Sequence, residues 1–194
     1  MRKKIIISAL TLLACIGANA NWTKNTAKPE RELYTAGKEN VTRGDFDKDG
    51  ATDLAVYDSK SLSLYFSNGY AKYILHDTYK VDNEYADSRI TNVSVNAKGV
   101  LRIETEWTND RGASGTDTYT IRYQDNDFYL IGYDCTYNPP ASKSYNLLTY
   151  KVITIDGFSE EDGEKHTGTL QKLPLRKLSQ IKIGEYKCDD HYEY

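Results

Sequence analysis

The sequence predicts an all-β protein, an antiparallel meander that forms a two-layer sandwich or an open barrel, with few or no helices after the N-terminal leader. Short runs of alternating or β-branched apolar residues recur along the chain, and helical periodicity is weak throughout. Turn residues separate these runs at intervals of about eight to twelve residues. Such spacing is typical of sandwiches and barrels built from successive hairpins.

The N-terminal leader, residues 1–20, has the three parts of a secretory signal peptide. Basic residues at Arg2 to Lys4 precede a mostly apolar stretch over residues 5–14, and Ala18-Asn19-Ala20 supplies a small-residue cleavage site. The apolar stretch is shorter than the roughly twenty residues that a spanning helix needs, and no other segment comes near that length. We therefore expect an exported chain, periplasmic or secreted, with no transmembrane segment after cleavage.

Cys15 suggests an alternative localisation. The run Leu12-Leu13-Ala14-Cys15 resembles a bacterial lipobox, which implies an outer-membrane lipoprotein anchored through this cysteine. Cleavage after Ala20 is favoured, because residues 15–20 form an ordinary cleavage region. Lipidation at Cys15 stays open as the alternative.

The remaining chain is long enough for one domain with a sizeable core. Residues 21–40 are polar and lysine-rich without a clear period, so they predict a tether or an early strand. Residues 41–194 predict a single β-rich domain, in which residues 54–57 form a buried strand. The predicted hairpins are 61–66 with 70–75 across Asn68-Gly69, 89–96 with 100–107 across Lys98-Gly99, 116–123 with 128–133 across residues 125–127, and 150–155 with 167–173 around the acidic loop 159–164.

An acidic loop over residues 45–53 carries aspartates at its positions 1, 3, 5 and 9 and a glycine at position 6. Calcium takes about six to eight oxygen ligands, and alternate residues of a tightly turning chain point their carboxylates toward a common centre. Without a cation, carboxylates held this close would repel one another. The loop therefore predicts a Ca²⁺ site, with water completing the shell. The predicted ligands are the side chains of Asp45, Asp47, Asp49 and Asp53 and the backbone carbonyl of Ala51.

The loop differs from an EF-hand, which closes its shell with a glutamate at position 12, where this chain has Val56. Residues 44–56 resemble instead the calcium loop of FG-GAP and VCBS-type repeats, where the loop joins or opens the strands of a propeller blade. This resemblance implies calcium with a structural rather than a catalytic task, held by the four aspartate side chains. A propeller needs several blades, whereas this sequence has a single D-x-D-x-D-G run.

Three further segments, residues 123–134, 144–149 and 172–175, carry a second resemblance. Together with the acidic loop, they look like those of small exported bacterial proteins that contain one FG-GAP-like loop. This resemblance implies a fold and an address, and it implies no particular activity.

The charge of the chain disfavours nucleic acid as a partner. Cleavage of the leader removes Arg2, Lys3 and Lys4 and takes the formal net charge from −3 to about −6. Nucleic-acid binding depends on basic patches that neutralise phosphates.

The cysteines predict a disulfide. Cleavage removes Cys15 and leaves Cys135 and Cys188 in an oxidising compartment. A bridge between them would close a long loop and contribute on the order of 4 kcal/mol in the chain-entropy model. Two unpaired thiols are the alternative.

No catalytic motif stands out, because the sequence lacks G-x-S-x-G, H-E-x-x-H and a phosphate loop. Glu104 and Glu106 share one face of a predicted strand, and two carboxylates are the minimum for glycoside hydrolysis. Alternating glutamates on a strand typically face water, however. We therefore expect no enzyme, but a β-domain stabilised by structural calcium that binds a protein or glycan partner in the envelope or outside it. An envelope glycoside hydrolase and an inhibitor of an extracellular enzyme are the alternatives.

Tyrosine is abundant, with 17 residues in the chain. Four of them fall in one predicted hairpin, at positions 119, 123, 129 and 133. Packing is the favoured role for these side chains, and a binding surface is the alternative.

Overall fold

The computed structural model describes residues 27–35, 37–82, 86–137, 141–156 and 163–184. These residues form 12 strands and two short 3₁₀ helices, Glu30–Glu32 and Leu178–Gln180. The strands make two antiparallel sheets, so the predicted all-β fold is confirmed. The predicted leader, residues 1–20, lies outside the described residues.

The first sheet has five strands in the order β1-β5-β4-β3-β2. They are β1 (Lys28–Pro29), β2 (Asn40–Gly44), β3 (Asp53–Tyr57), β4 (Ser61–Ser67) and β5 (Lys72–Lys80). All five residues of β3 are buried, which confirms the predicted buried strand and explains why its sequence is apolar without alternation.

The second sheet has seven strands, each paired with its neighbours in sequence. They are β6 (Asp87–Val95), β7 (Leu101–Thr108), β8 (Ser114–Gln124), β9 (Asp127–Tyr137), β10 (Ser142–Asn146), β11 (Lys151–Asp156) and β12 (Glu164–Thr169). Strand β7 shows why this sheet has one buried face: Leu101, Ile103, Thr105 and Trp107 are buried, whereas the residues between them face outward.

The predicted hairpins β4–β5, β6–β7 and β8–β9 are confirmed by the observed pairing. The last hairpin forms with a different boundary. Strand β12 ends at Thr169, so residues 170–173 were wrongly assigned to it, and Glu164 belongs to the strand and not to the acidic loop. Within residues 21–40, predicted as a tether or an early strand, Lys28–Pro29 forms strand β1 and Glu30–Glu32 forms a 3₁₀ helix.

The two sheets meet at a seam between β2 and β6. The Thr42 hydroxyl donates a hydrogen bond to the Val93 carbonyl oxygen at 2.5 Å. Two residues further along, a Cβ on Gly44 would lie 2.5 Å from Cγ1 of Val95. The close approach of the two strands therefore depends on the absence of a side chain at position 44.

The chain after β12 returns to the core. We call residues 178–184 the C-terminal segment. Its residues Leu178 and Ile183 are buried in the core, and Ile183 forms a parallel bridge with Val81. The carbonyl oxygen of Ile183 also accepts a hydrogen bond from the Asp82 N–H at 2.7 Å. This segment therefore packs against both the core and the end of β5.

Gly115 lies between two stacked rings, Trp107 and Tyr137, on neighbouring strands. A Cβ at this position would lie 2.1 Å from the Thr136 carbonyl oxygen and 2.3 Å from the indole of Trp107. We expect Gly115→Ala to lower the free energy of unfolding by about 1–3 kcal/mol, because overpacking displaces backbone and indole together. Urea unfolding measures this loss.

Gly132→Ala is the matched control on the adjacent strand β9. A Cβ there meets the nearest atom at 3.4 Å, an ordinary contact, so we expect a loss below about 1 kcal/mol. Equal losses for the two variants would show that space around Gly115 does not limit packing.

Candidate metal centre

The acidic loop connects β2 to β3, and hydrogen bonds from its backbone N–H groups to its own aspartate side chains hold it in a tight turn. The Asp45 carboxylate accepts the Gly50 N–H at 3.0 Å, the Asp47 carboxylate accepts the Asp49 N–H at 3.2 Å, and the Asp49 carboxylate accepts the Ala51 N–H at 2.7 Å. Gly50 has φ +88°, the left-handed conformation that glycine adopts without strain. The predicted turn at this glycine is therefore present.

Three of the four predicted carboxylates come together. Asp45, Asp47 and Asp49 each offer an oxygen atom, and these atoms lie within 4.8 Å of one another. Asp45 is half-buried, whereas Asp47 and Asp49 are exposed. The loop thus presents a compact group of hard oxygen donors at the surface.

The chemistry of this group fits a hard divalent cation. The Oδ1 atom of Asp45 is buried and accepts no hydrogen bond from the residues that the structure describes, an arrangement that costs free energy unless another group satisfies the oxygen. Partial burial raises the pKa of Asp47, and the charges of Asp49 and Asp45 raise it further. Both features disfavour the metal-free carboxylates, and a bound cation would relieve both.

Asp53, the fourth predicted ligand, is not a member of this cluster. It is 1% exposed, and its two oxygens accept backbone N–H groups from Phe46 at 2.8 Å and from Ser67 at 2.9 Å. Burial raises its pKa to about 6, while these two hydrogen bonds lower it. Asp53 therefore holds the loop against β4, and a ligand role for its remaining lone pairs stays a prediction, as does that of the Ala51 carbonyl.

Phe46 anchors the loop between the two sheets, and this role was not predicted. Phe46 lies between Asp45 and Asp47 in the sequence, and its side chain is 1% exposed. The ring packs edge-on against Phe66 of β4, with centroids 6.4 Å apart, and against Phe128 of β9, with centroids 6.1 Å apart. A large aromatic residue inside an otherwise acidic run was the signal that could have shown it.

The turn between β6 and β7 packs against the backbone of the acidic loop. Gly99 in this turn has φ +72°, and a Cβ on it would lie 2.4 Å from the Asp45 carbonyl oxygen and 3.2 Å from that of Phe46. The backbone of the acidic loop is therefore in close contact with the second sheet as well as the first.

Cys135 is disulfide-bonded. Cys188, its predicted partner, lies outside the described residues, so the pairing stays a prediction.

The two glutamates considered for hydrolysis are engaged in surface ion pairs. Glu106 accepts from Arg89 at 2.7 Å, and Glu104 lies 3.2 Å from Arg102. Of the tyrosines in the β8–β9 hairpin, Tyr119 and Tyr133 are buried, which agrees with the favoured packing role.

Comparison with known proteins gave no match among family models, curated proteins or solved structures. In the described part of the chain, no helix is long and apolar enough to cross a membrane.

Proposed function

We propose that this chain is a non-enzymatic, exported β-domain that binds one structural calcium ion in its β2–β3 loop and a protein or glycan partner in the envelope or outside the cell. The FG-GAP-like spacing of the aspartates supports the choice of calcium. Asp45, Asp47 and Asp49 would hold the ion.

One observation carries the metal part of the proposal. The three aspartates gather their oxygens within 4.8 Å, and one of those residues, Asp45, keeps a buried oxygen without a hydrogen-bond donor in the described part of the chain. An acidic turn that is merely solvated would expose all its oxygens to water. A cation among these oxygens supplies the missing partner and neutralises the mutual repulsion.

The position of the loop supports a structural task for the ion. Phe46 ties the loop to both sheets through Phe66 and Phe128, and Gly99 of the second sheet contacts its backbone. A ligand that binds only the folded loop stabilises the whole domain by mass action. Calcium would thus act at the junction of the two sheets.

Export is supported by the leader-like residues 1–20 and by the disulfide at Cys135, since disulfides persist in oxidising compartments. For the partner, we assign the polar groove on the outer face of β8, β9 and β10. Side chains with hydroxyl groups line it beside Asp134 and Arg102: Thr116, Thr118, Thr136, Ser142 and Ser144. Such groups exchange hydrogen bonds with sugar hydroxyls or with peptide groups.

Calorimetric titration of the mature protein with calcium tests the metal site. We expect heat of binding in the wild type and none in the double variant Asp47→Ala, Asp49→Ala. At a calcium concentration 100 times Kd, binding is expected to stabilise the fold by about 2.7 kcal/mol, which chelator removes. In the double variant, the melting temperature is expected to be the same in calcium and in chelator.

Asp110→Ala with Glu164→Ala is the matched control, because it also removes two exposed carboxylates. It should keep the full difference between calcium and chelator. An unchanged difference in the aspartate-loop variant would move the metal to another site. For the partner, specific capture from an envelope extract supports binding, whereas polysaccharide cleavage by the purified protein without such capture would favour the hydrolase.

A further inference from the structure

Asp117 is a buried carboxyl group with no part in the metal centre. It lies on β8 with 0% exposure, directly across from Thr105 of β7 and Cys135 of β9. Burying a carboxylate costs several kcal/mol unless cations or donors compensate. The surroundings of this group therefore decide its protonation state.

The immediate partners of Asp117 are aromatic. The Tyr133 hydroxyl donates to Asp117 Oδ1 at 2.8 Å, and the Trp107 indole and the Tyr119 phenol flank the same carboxyl. Asp117 Oδ2 and the hydroxyl of Thr105 are buried without hydrogen-bond partners among the described residues. One oxygen of the buried carboxyl group is therefore left without a donor among these residues, which disfavours its ionised form.

No cation compensates a charge on Asp117 within the described residues. Burial raises its pKa to about 7, while the nearby donor groups of Tyr133, Trp107 and Tyr119, in that order, lower it. Lys143 of β10 faces Cys135, one strand further away. Lys182, in the C-terminal segment, pairs with Asp82 at 3.0 Å.

The other titratable side chains described around Asp117 are phenols and a disulfide-bonded cysteine. Tyr119 and Tyr133 are phenols, and so is Tyr145, whose ring packs on Tyr133 with centroids 5.9 Å apart. Cys135 is in a disulfide and does not titrate. On β6, the hydroxyl-bearing side chain of Ser88 is also buried. Among the described residues, Asp117 is thus the one carboxyl group in this buried cluster.

A chain of hydrogen bonds connects this buried group to the C-terminal segment. The Gly184 N–H donates to the Tyr119 hydroxyl oxygen at 3.0 Å, and the Ser88 hydroxyl donates to the Gly184 carbonyl oxygen at 2.7 Å. Contact is tight, since a Cβ on Gly184 would lie 2.7 Å from that of Ser88. One phenol therefore separates the carboxyl group from the end of this segment.

We propose that Asp117 and Tyr119 form a buried proton switch that controls how firmly the C-terminal segment, residues 178–184, is held against the sheets. With Asp117 neutral, the segment stays closed over Tyr119. Once Asp117 ionises, water must reach its carboxylate to offset the free-energy cost of a buried charge. Strands β7 and β9 flank it in continuous ladders, so the segment is the neighbour that opens at the lowest cost.

The sign of the pH effect follows from proton linkage. The pKa of Asp117 is higher in the folded state than the value of about 3.9 in an unfolded chain. Between about pH 4 and pH 7, the folded state keeps a proton that the unfolded state releases. The unfolding equilibrium constant therefore rises about tenfold per pH unit through this window and levels off above it. Stability is full at low pH and is lost as the pH rises.

Urea unfolding of the mature protein and of Asp117→Asn, from pH 5 to pH 9 in chelator, tests the energetic part. We expect an increase of about 50-fold in the unfolding constant between pH 5 and pH 7 in the wild type, and loss of this component in the variant. Asp53 titrates in both proteins, so the comparison isolates Asp117. Identical pH dependences would overturn the proposal.

Hydrogen exchange tests the coupling. The protection factor of the Gly184 amide, corrected for the intrinsic pH dependence of exchange, is expected to fall about tenfold between pH 6 and pH 8 in the wild type. If Asp117→Asn fails to fold, ¹³C NMR of the wild-type aspartate carboxyls replaces it. An Asp117 midpoint above pH 6 with falling Gly184 protection supports the switch. A midpoint below pH 6, or constant protection through the titration, overturns it.

Discussion

Phe46→Ala is expected to lower the free energy of unfolding by about 3–5 kcal/mol, the range for deleting a buried aromatic ring. The ring is 1% exposed and touches Phe66 in the first sheet and Phe128 in the second, so its loss leaves a cavity that neither sheet can fill alone. Urea unfolding in chelator measures this loss. Calcium titration of the same variant should show weaker binding, because Phe46 fixes the loop between Asp45 and Asp47.

Two variants control this experiment. Phe46→Leu keeps most of the buried volume and should cost much less, about 1 kcal/mol. Tyr70→Ala removes an aromatic side chain that is 96% exposed, and it should change stability by less than about 0.5 kcal/mol. If Phe46→Ala costs no more than Tyr70→Ala, Phe46 does not anchor the loop.

Asp53→Ala is expected to destabilise the fold by roughly 2–5 kcal/mol even without calcium. The substitution leaves the backbone N–H groups of Phe46 and Ser67 without their acceptor, and each such group costs about 1–3 kcal/mol when it stays buried. Urea unfolding in chelator separates this role from metal binding. A residue that acted only as a ligand would show its loss in calcium alone.

Asp58→Ala is the matched control. Its carboxylate also accepts two backbone N–H groups, from Lys60 and Ser61, at 2.7 Å each. These groups lie in a turn beside exposed residues, where water can replace the lost acceptor, so we expect a loss of about 1 kcal/mol or less. Equal losses for the two variants would contradict the role of Asp53 in holding the loop to β4.

Much of the fold could be predicted because most of its strands pair with strands that are close to them in the sequence. Turn residues such as Asn68-Gly69 stand between strands that pair directly with each other. Strand β10 was missed, since Ser142, Lys143 and Ser144 show no apolar alternation. It forms because β9 and β11 offer it backbone partners on both sides. Strand β12 is exposed along its whole length, so burial left no pattern in its sequence to mark its boundaries.

The candidate metal site likewise has one part that local sequence predicts and another part that depends on residues distant in the sequence. The spacing of Asp45, Asp47 and Asp49 predicted their grouping, because a tight turn determines it within a few residues. The role of Asp53 depends on Ser67, 14 positions away, and no spacing rule reveals such a contact. Asp117 stands between two threonines in an apparently polar strand, and its burial follows only from how the sheet packs.

The meander has a consequence for how the chain assembles. Each strand of the seven-stranded sheet pairs with its neighbours in sequence, and short connections cost little closure entropy. The seam is different, because Thr42 and Val93 are 51 positions apart. Joining β2 to β6 therefore costs more closure entropy than forming a single hairpin of the meander. Since the acidic loop begins at the end of β2, we expect a ligand that orders this loop to speed the joining of the two sheets.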